Sequence, residues 1–392
     1  MRFIGIDIGA ESHVVAVVDE AGGVLVKSTP FSEDAEGYAK LRALLGSPEE
    51  TLCAMEATGH YWQNLFAFLA AEGFQVALLN PLRTHRFAGE DLRRAKTDAI
   101  DAVGIARFAQ QKRPVVTPLP DEATLELREL VRLRDRMVQD MGDRVRQLHR
   151  TLNLTFPEFP RLVRDLTSFK ATGLLLAFPT GTAFRDTSVE AVAELKYDGR
   201  HRIGEDLARD LCELAGRSVG RHDGPSYRLQ TRYACEDIAT LRERIKGLDG
   251  DIQRSLDQHR VGQLLTTIDG IGSNTAARMI AEVDLLAFRD AGALAAYVGV
   301  APSVNHSGKR TPQRGAISSI GHAKLRAKLW MPTLQAVRKN AWLPRFYEGL
   351  VARGKPKKLA LIAAMRKLLS AMLSVARSGK PFEPRLPEAP TA

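Results

Sequence analysis

The hydrophobic period changes once along this chain, at a cluster of prolines, and that change restricts the possible folds more than any other feature. Ahead of Pro114, Pro118 and Pro120, apolar residues come in short, strand-length runs between turn signals. Beyond them, apolar residues recur every three or four positions over long stretches, which marks one buried stripe on a helix. An α/β part therefore precedes a part made of long helices. A length of 392 residues leaves room for two or three domains.

In the first part, strands are predicted over 3–8, 14–18 and 24–28, with Ala21-Gly22-Gly23 turning the chain between the last two. A helix over 38–45, a strand over 51–56, a helix over 61–72 and a strand over 75–79 follow. Asn80-Pro81 ends that strand, and a last helix begins near Thr97. Three strands, a helix, then strand, helix, strand and helix is the order of an RNase H-like domain, an order other α/β folds share. The proline-bearing segment 113–120 reads as a linker.

In the second part, Leu130, Leu133, Met137, Met141, Val145, Leu148 and Leu152 form one stripe. Ile238, Leu241, Ile245, Leu248, Ile252 and Leu256 form another. Each suits a coiled-coil partner or an ordinary bundle, and in either case a spacer or oligomerisation element. Residues 156–225, with Pro157, Pro160, Pro179 and Pro225, are weakly patterned and read as a mostly helical insertion. The expected domains are therefore an α/β domain at 1–112, a helical or coiled-coil region at 121–260 containing that insertion, and an α-helical domain at 261–380.

The net charge of +10 suits a polyanionic partner, since Lys and Arg displace counterions from phosphates, although a merely basic protein has the same balance. Cys53, Cys212 and Cys235 are too scattered for a Cys-x-x-Cys zinc pattern or a disulfide framework. A reducing cytoplasm fits. The start, Met1-Arg2-Phe3-Ile4-Gly5, reads as a strand and not a signal peptide, and no apolar run reads as long enough to cross a bilayer. A cytoplasmic protein without a membrane partner is expected.

Four carboxylates stand out. Asp7 interrupts the apolar run Ile4-Gly5-Ile6-Asp7-Ile8-Gly9, and Glu56 ends Leu52-Cys53-Ala54-Met55. Asp98 and Asp101 are three apart in Lys96-Thr97-Asp98-Ala99-Ile100-Asp101-Ala102, so a helix puts them on one face. Singly, each has an ordinary explanation. Asp7 suits a turn, Glu56 a solvated strand end, and Asp98 a first-turn acid behind an N-cap Thr97. Jointly, all-oxygen donors without a Cys or His partner suit Mg²⁺ or Mn²⁺, which would balance a charge set in an apolar strand. Two such ions clamp the attacking and leaving oxygens of a phosphodiester.

Further on, Ile268-Asp269-Gly270-Ile271-Gly272 before Thr275-Ala276-Ala277-Arg278-Met279-Ile280-Ala281 has the pattern of a helix-hairpin-helix. Gly270 and Gly272 permit a tight turn, and the next helix would offer backbone N–H groups to a phosphate. An ordinary helix–helix turn has the same look. Ser307 follows His306 in a small basic loop with Gly308, Lys309, Arg310 and Arg314. A hydroxyl there can approach a phosphate while the cations steady transition-state charge, although a loop serine is usually just a turn residue. Ser303 is its nearest competitor, and His306 is a candidate for deprotonating Ser307.

These blocks together resemble the DEDD transposases of bacterial insertion sequences, the bridge-RNA-guided recombinases. The matching residues are Gly5-Ile6-Asp7, Met55-Glu56-Ala57-Thr58-Gly59, Asn80-Pro81 and the block from Lys96 to Ala102. Then come Ile268 to Gly272, Tyr297-Val298-Gly299-Val300-Ala301-Pro302, Ser307-Gly308, Gly315-Ala316-Ile317 and Gly321-His322-Ala323-Lys324-Leu325-Arg326. The resemblance implies a RuvC-like N-terminal domain whose Asp7, Glu56, Asp98 and Asp101 bind Mg²⁺. It implies a C-terminal transposase domain whose Ser307 forms a phosphoserine link to DNA. It also implies a dimer or tetramer in which acids of one subunit meet the serine of another, and a structured guide RNA. The insertion at 156–225 has no match.

Three other readings compete. A Holliday-junction-resolvase-like endonuclease would use the four acids and metal-activated water without the serine. An actin-like or sugar-kinase ATPase would use Asp7-Ile8-Gly9 as a phosphate loop, but lacks a second Asp-x-Gly loop. A non-catalytic DNA-binding protein would use the hairpin and basic patches alone.

Overall fold

The computed structural model describes residues 1–57, 59–90, 98–305, 313–317 and 321–384, and for 82, 88–90, 98–100, 302–305 and 313–317 the backbone alone. The chain divides into two compact units, Met1–Pro120 and Asp121–Ala392.

The first unit runs β1 (Arg2–Asp7), β2 (Ser12–Val18), β3 (Val24–Ser32), α1 (Ala35–Leu45), β4 (Thr51–Glu56), α2 (Gln63–Ala71), β5 (Gln75–Leu79), α3 (Pro81–Glu90) and α4 (Asp98–Lys112). The sheet order is β3-β2-β1-β4-β5. Short turns make β1–β2 and β2–β3 antiparallel, while β1–β4 and β4–β5 are parallel because helical crossovers return the chain. Ile4, Ile6 and Ile8 face one side, against Leu41 and Leu45 of α1 and Leu65, Phe66 and Leu69 of α2. Phe3, Leu52, Ala54, Ala77 and Leu79 face the other, against Ile105, Ala106, Phe108 and Ala109 of α4. With both faces covered, the parallel strands read as nearly continuous apolar runs. This is the element order expected from the sequence, with one helix added. α3 went unpredicted, although Pro81 at a helix's first position costs nothing, since that N–H has no partner there anyway.

The segment read as a linker also behaves differently. Thr117 N donates to Val76 O at 2.8 Å, and Leu78 N donates to Thr117 Oγ1 at 2.9 Å. The middle of 113–120 is thus bonded to the outer edge of β5.

The second unit is built on α5 (Glu122–Thr155) and, after α6 (Phe159–Leu162), α7 (Phe169–Ala177), α8 (Gly181–Arg185), α9 (Val189–Ala193) and α10 (Glu205–Gly216), on α11 (Pro225–Asp257). The two apolar stripes lie on α5 and α11, which pair antiparallel within the chain. Arg134 meets Asp249 at 2.5 Å and Arg144 meets Asp237 at 2.8 Å. Leu148 and Leu152 of α5 and Cys235 and Ile238 of α11 share a core with the short helices of 156–225, among them Phe159, Leu174, Leu175, Phe184 and Leu211. At the other end, Leu127, Val131, Ile252 and Leu256 enter a second core. Each fully buried Leu or Phe side chain contributes about 1.5–3 kcal/mol, so both ends of the pair are firmly held.

That second core is built from α12 (Arg260–Thr266), α13 (Ser273–Glu282), α14 (Ala291–Val298), α15 (Ala323–Lys328), α16 (Trp330–Lys339), α17 (Leu343–Ala352) and α18 (Lys357–Ser378). Between α14 and α15 the chain forms the antiparallel strands β6 (Pro302–Asn305) and β7 (Gln313–Ile317). α18 corrects one reading of the sequence. Among the described residues it is the one helix long and apolar enough to cross a membrane, with 22 residues and a mean hydropathy of 1.7. Of its most apolar stretch, 61% is buried in the unit, where Leu361, Met365, Leu368, Leu369 and Met372 line the core. It is a core helix.

Candidate active site

Side-chain alternation places the first two acids. On β1, Phe3 and Gly5 face α4, so Asp7, two residues further, faces the same way. On β4, Leu52 and Ala54 face α4, and so does Glu56. Ile6 stands beside Met55 in the parallel register, so Asp7 and Glu56 occupy the carboxyl ends of adjacent strands on one face, each half-buried. In open α/β sheets that end is where ligands bind.

Gly5 brings the other two close. A Cβ on Gly5 would stand 2.1 Å from Ala102 O and 2.3 Å from Ala106 N, so only glycine lets α4 lie so tightly on β1. α4 runs antiparallel to β1. Its middle covers Gly5, while just past its end the Arg113 guanidinium lies 5.6 Å from the centre of the Phe3 ring. The first turn of α4, bearing Asp98 and Asp101, is therefore at the Asp7 end of the strand. Asp101 is half-buried there, and the Asp98 side chain lies outside the described residues.

Glu56 has a fixed partner that the sequence pattern did not reveal. The buried Thr84 of α3 donates its hydroxyl to Glu56 Oε1 at 2.5 Å. The signal for it was Asn80-Pro81, a helix start as well as a strand end. In donor type, the four acids fit a hard divalent cation, being all oxygen. Among the described side chains, no three of His, Cys, Asp or Glu stand close enough together to share an ion.

In the second unit, α12 and α13 flank a turn in which Ile268 and Ile271 are buried. Gly270 has φ +91°, and a Cβ on it would lie 2.8 Å from Ala336 Cα, so this glycine faces inward onto α16. Gly272 N-caps α13, and nothing lies within 4 Å of where its Cβ would be. The β6–β7 hairpin pairs Val304 with Arg314. His306, Ser307, Lys309 and Arg310 lie outside the described residues, as do the side chains of Ser303 and Arg314.

A second feature that went unpredicted is a concentration of charge. Residues 323–380 hold 14 Lys and Arg against one acid, Glu348. Arg338, Lys339, Arg345, Lys355, Lys357, Lys358 and Arg366 are exposed, and among the described residues none has a carboxylate partner. Counting charge by segment, not over the whole chain, finds this.

A mixed five-stranded sheet in this order, with acids at the ends of β1 and β4 and on the helix crossing β1, is the architecture of an RNase H-like domain. Comparison with known families makes this specific. The IS110-type DEDD transposase model matches residues 4–157, and the Transposase IS116/IS110/IS902 family model matches residues 262–348. The chain belongs to this transposase family, whose members act on DNA by phosphoryl transfer, as the resemblance in its motifs implied. Among its relatives, the IS116 uncharacterized 44.8 kDa protein of Streptomyces clavuligerus is 27% identical, covering 100% of this chain and 98% of its own. The IS110 uncharacterized 43.6 kDa protein of Streptomyces coelicolor is 25% identical over 98% and 96%. A pilin gene-inverting protein of Moraxella bovis is 24% identical over 98% and 99%.

Proposed function

We propose that this transposase breaks and rejoins DNA with Ser307 as nucleophile, with Asp7, Glu56, Asp98 and Asp101 holding Mg²⁺ or Mn²⁺ at the scissile phosphate. The supporting observation is the close seat of α4 on Gly5, which carries the Asp98–Asp101 turn to the strand ends of Asp7 and Glu56. The bound ion supplies neutralisation of charge on the phosphate oxygens. Ser307 Oγ loses its proton, with His306 the nearest base in sequence, and attacks phosphorus. One P–O bond of the DNA breaks as the P–Oγ bond forms, and the departing oxygen takes up a proton. Attack on that phosphoserine by the hydroxyl of another DNA end frees the serine and joins the strands. Lys309, Arg310 and Arg314 steady the five-coordinate phosphorus.

The turn at Gly272 leaves room for a phosphate beside the start of α13, while Gly270 lets the turn pack. The basic run 323–380 attracts the polyanion. Acids and serine belong to different compact units, which suits a dimer or tetramer whose subunits complete each other's sites. A structured RNA of the element guides target choice, as in the family the motifs resemble. Relatives that invert a pilin gene are named for such a breakage-and-rejoining outcome.

The test is a denaturing gel of the reaction with DNA. A protein–DNA adduct is expected from the wild type and from Ser303→Ala, and none from Ser307→Ala. Undiminished breakage and rejoining by Ser307→Ala would replace the serine with water.

A further inference from the structure

An ion network in the second unit runs from α5 to the base of the β6–β7 hairpin. Arg278 of α13, only 8% exposed, forks onto Asp135 of α5 with both N–O distances 2.6 Å. Burial works against the guanidinium's charge, but the bonds to Asp135 and Glu282 outweigh it and hold Arg278 firmly charged. Its Nη1 also donates to Glu282 Oε1, one turn on, at 3.1 Å. Lys328 of α15 approaches Asp135 at 3.1 Å.

The other carboxylate oxygen, Glu282 Oε2, is sealed from solvent and receives no well-aligned hydrogen bond. His322 Nε2 stands 3.3 Å from it. His322 Nδ1 accepts from Leu325 N at 3.1 Å, capping α15, so the neutral ring carries its proton on Nε2, toward Glu282. A formed charge-assisted bond measures about 2.7–2.9 Å, so this pairing is loose and has room to tighten.

The same histidine sits at the foot of the hairpin. Its backbone N donates to Tyr297 O at 2.7 Å. Beside it, Gly321 has φ +123°, and a Cβ there would lie 2.6 Å from Gly299 Cα. Arg326 Nη1 donates to Gly299 O at 3.1 Å. These interactions clamp residues 299 and 321, the two ends of the excursion that contains β6, β7 and Ser307.

We infer that Glu282 and His322 are a positioning pair for this transposase's DNA-breaking step, setting the foot of the hairpin that carries the nucleophile. The role rests on the assignment of Ser307. The bidentate pair of half-buried Asp135 with buried Arg278 holds Glu282, Glu282 orients His322, and His322 fixes the turn where the chain enters α15. Misplacing a reacting group by an ångström costs up to about a hundredfold in rate.

The experiment compares the full-length wild type with Glu282→Gln, His322→Ala, His322→Asn and Ser307→Ala. DNA affinity and the rate of strand breakage at saturating DNA are measured separately. Glu282→Gln keeps the size of the side chain, so it tests the pair even if His322→Ala unfolds. Glu282→Gln and His322→Ala are expected to slow breakage by about tenfold or more while Kd stays within about twofold. His322→Asn, which offers Leu325 N an acceptor and Glu282 an N–H, is expected to recover much of the rate. Wild-type rates in the first two variants, with Ser307→Ala inactive, overturn the pair alone. Equal losses in Kd and rate without rescue by Asn reduce it to a structural part. Breakage by Ser307→Ala overturns the nucleophile assignment and this role with it.

Discussion

Asp101 and Asp98 stand on the first turn of a helix whose remaining length holds it to the sheet, so replacing them tests their proposed role as metal ligands while the packing of Ile105, Ala106, Phe108 and Ala109 is kept. Asp98→Ala and Asp101→Asn are each expected to abolish strand exchange and leave the melting temperature within a few degrees, read by activity and thermal unfolding together. Retained exchange in either variant takes that residue out of the metal site. A different carboxylate, Glu33, contributes to acid sensitivity. Burial pushes Glu33 up, but hydrogen bonds from His13 at 2.6 Å, Tyr38 at 2.8 Å and Asn64 at 3.1 Å together outweigh it and leave Glu33 below its ordinary value of 4.5. A carboxyl depressed by folding stabilises the folded state above its unfolded value and loses that contribution as pH falls through its lowered one. Unfolding measured across pH 6 to 3 is therefore expected to show less acid sensitivity in Glu33→Gln than in the wild type. Parallel curves would remove Glu33 from the acid response.

Between elements, the seat of α4 on β1 depends on Gly5. A methyl group there meets Ala102 O and Ala106 N at impossible distances, so Gly5→Ala must lift the helix. Overpacking of this kind costs about 1–3 kcal/mol, and DNA breakage is expected to fall further than stability alone explains, because the acids separate. Normal activity at a lowered melting temperature would mean that the acids do not need this seat. The strands were legible in the sequence as short apolar runs between turn signals, and the two long helices by stripes recurring every three or four residues. What each helix packs on was not legible. The stripes through Leu148 and Ile238 announce a buried face, and only the fold shows that they meet each other antiparallel. The region 156–225 hid its structure because helices as short as α8 and α9, with five residues each, carry too few turns to display a period. Of the candidate site, Asp7 and Glu56 were visible as charges in or at the end of apolar runs, and Asp98 and Asp101 as acids spaced for one helix face. Thr84 was not, because a buried threonine has no such contrast, nor was the pairing of Glu282 with His322, whose members lie forty positions apart.

Across the whole molecule, charge is strongly uneven. The net +10 is exceeded by residues 323–380 alone, so the rest of the chain is slightly acidic. DNA affinity is expected to fall linearly with the logarithm of salt, and replacing Lys355, Lys357 and Lys358 with Gln is expected to reduce that slope by about 0.9 for each phosphate no longer neutralised. Binding titrations at several salt concentrations check this; an unchanged slope removes those lysines from the interface. The bonds from Thr117 to β5 bear on how the first unit could be separated from the rest. A fragment ending at Lys112 would leave Val76 O and Leu78 N bare on an outer strand, inviting another copy to add itself there and aggregate. One ending at Pro120 brings its own cover and stays monodisperse.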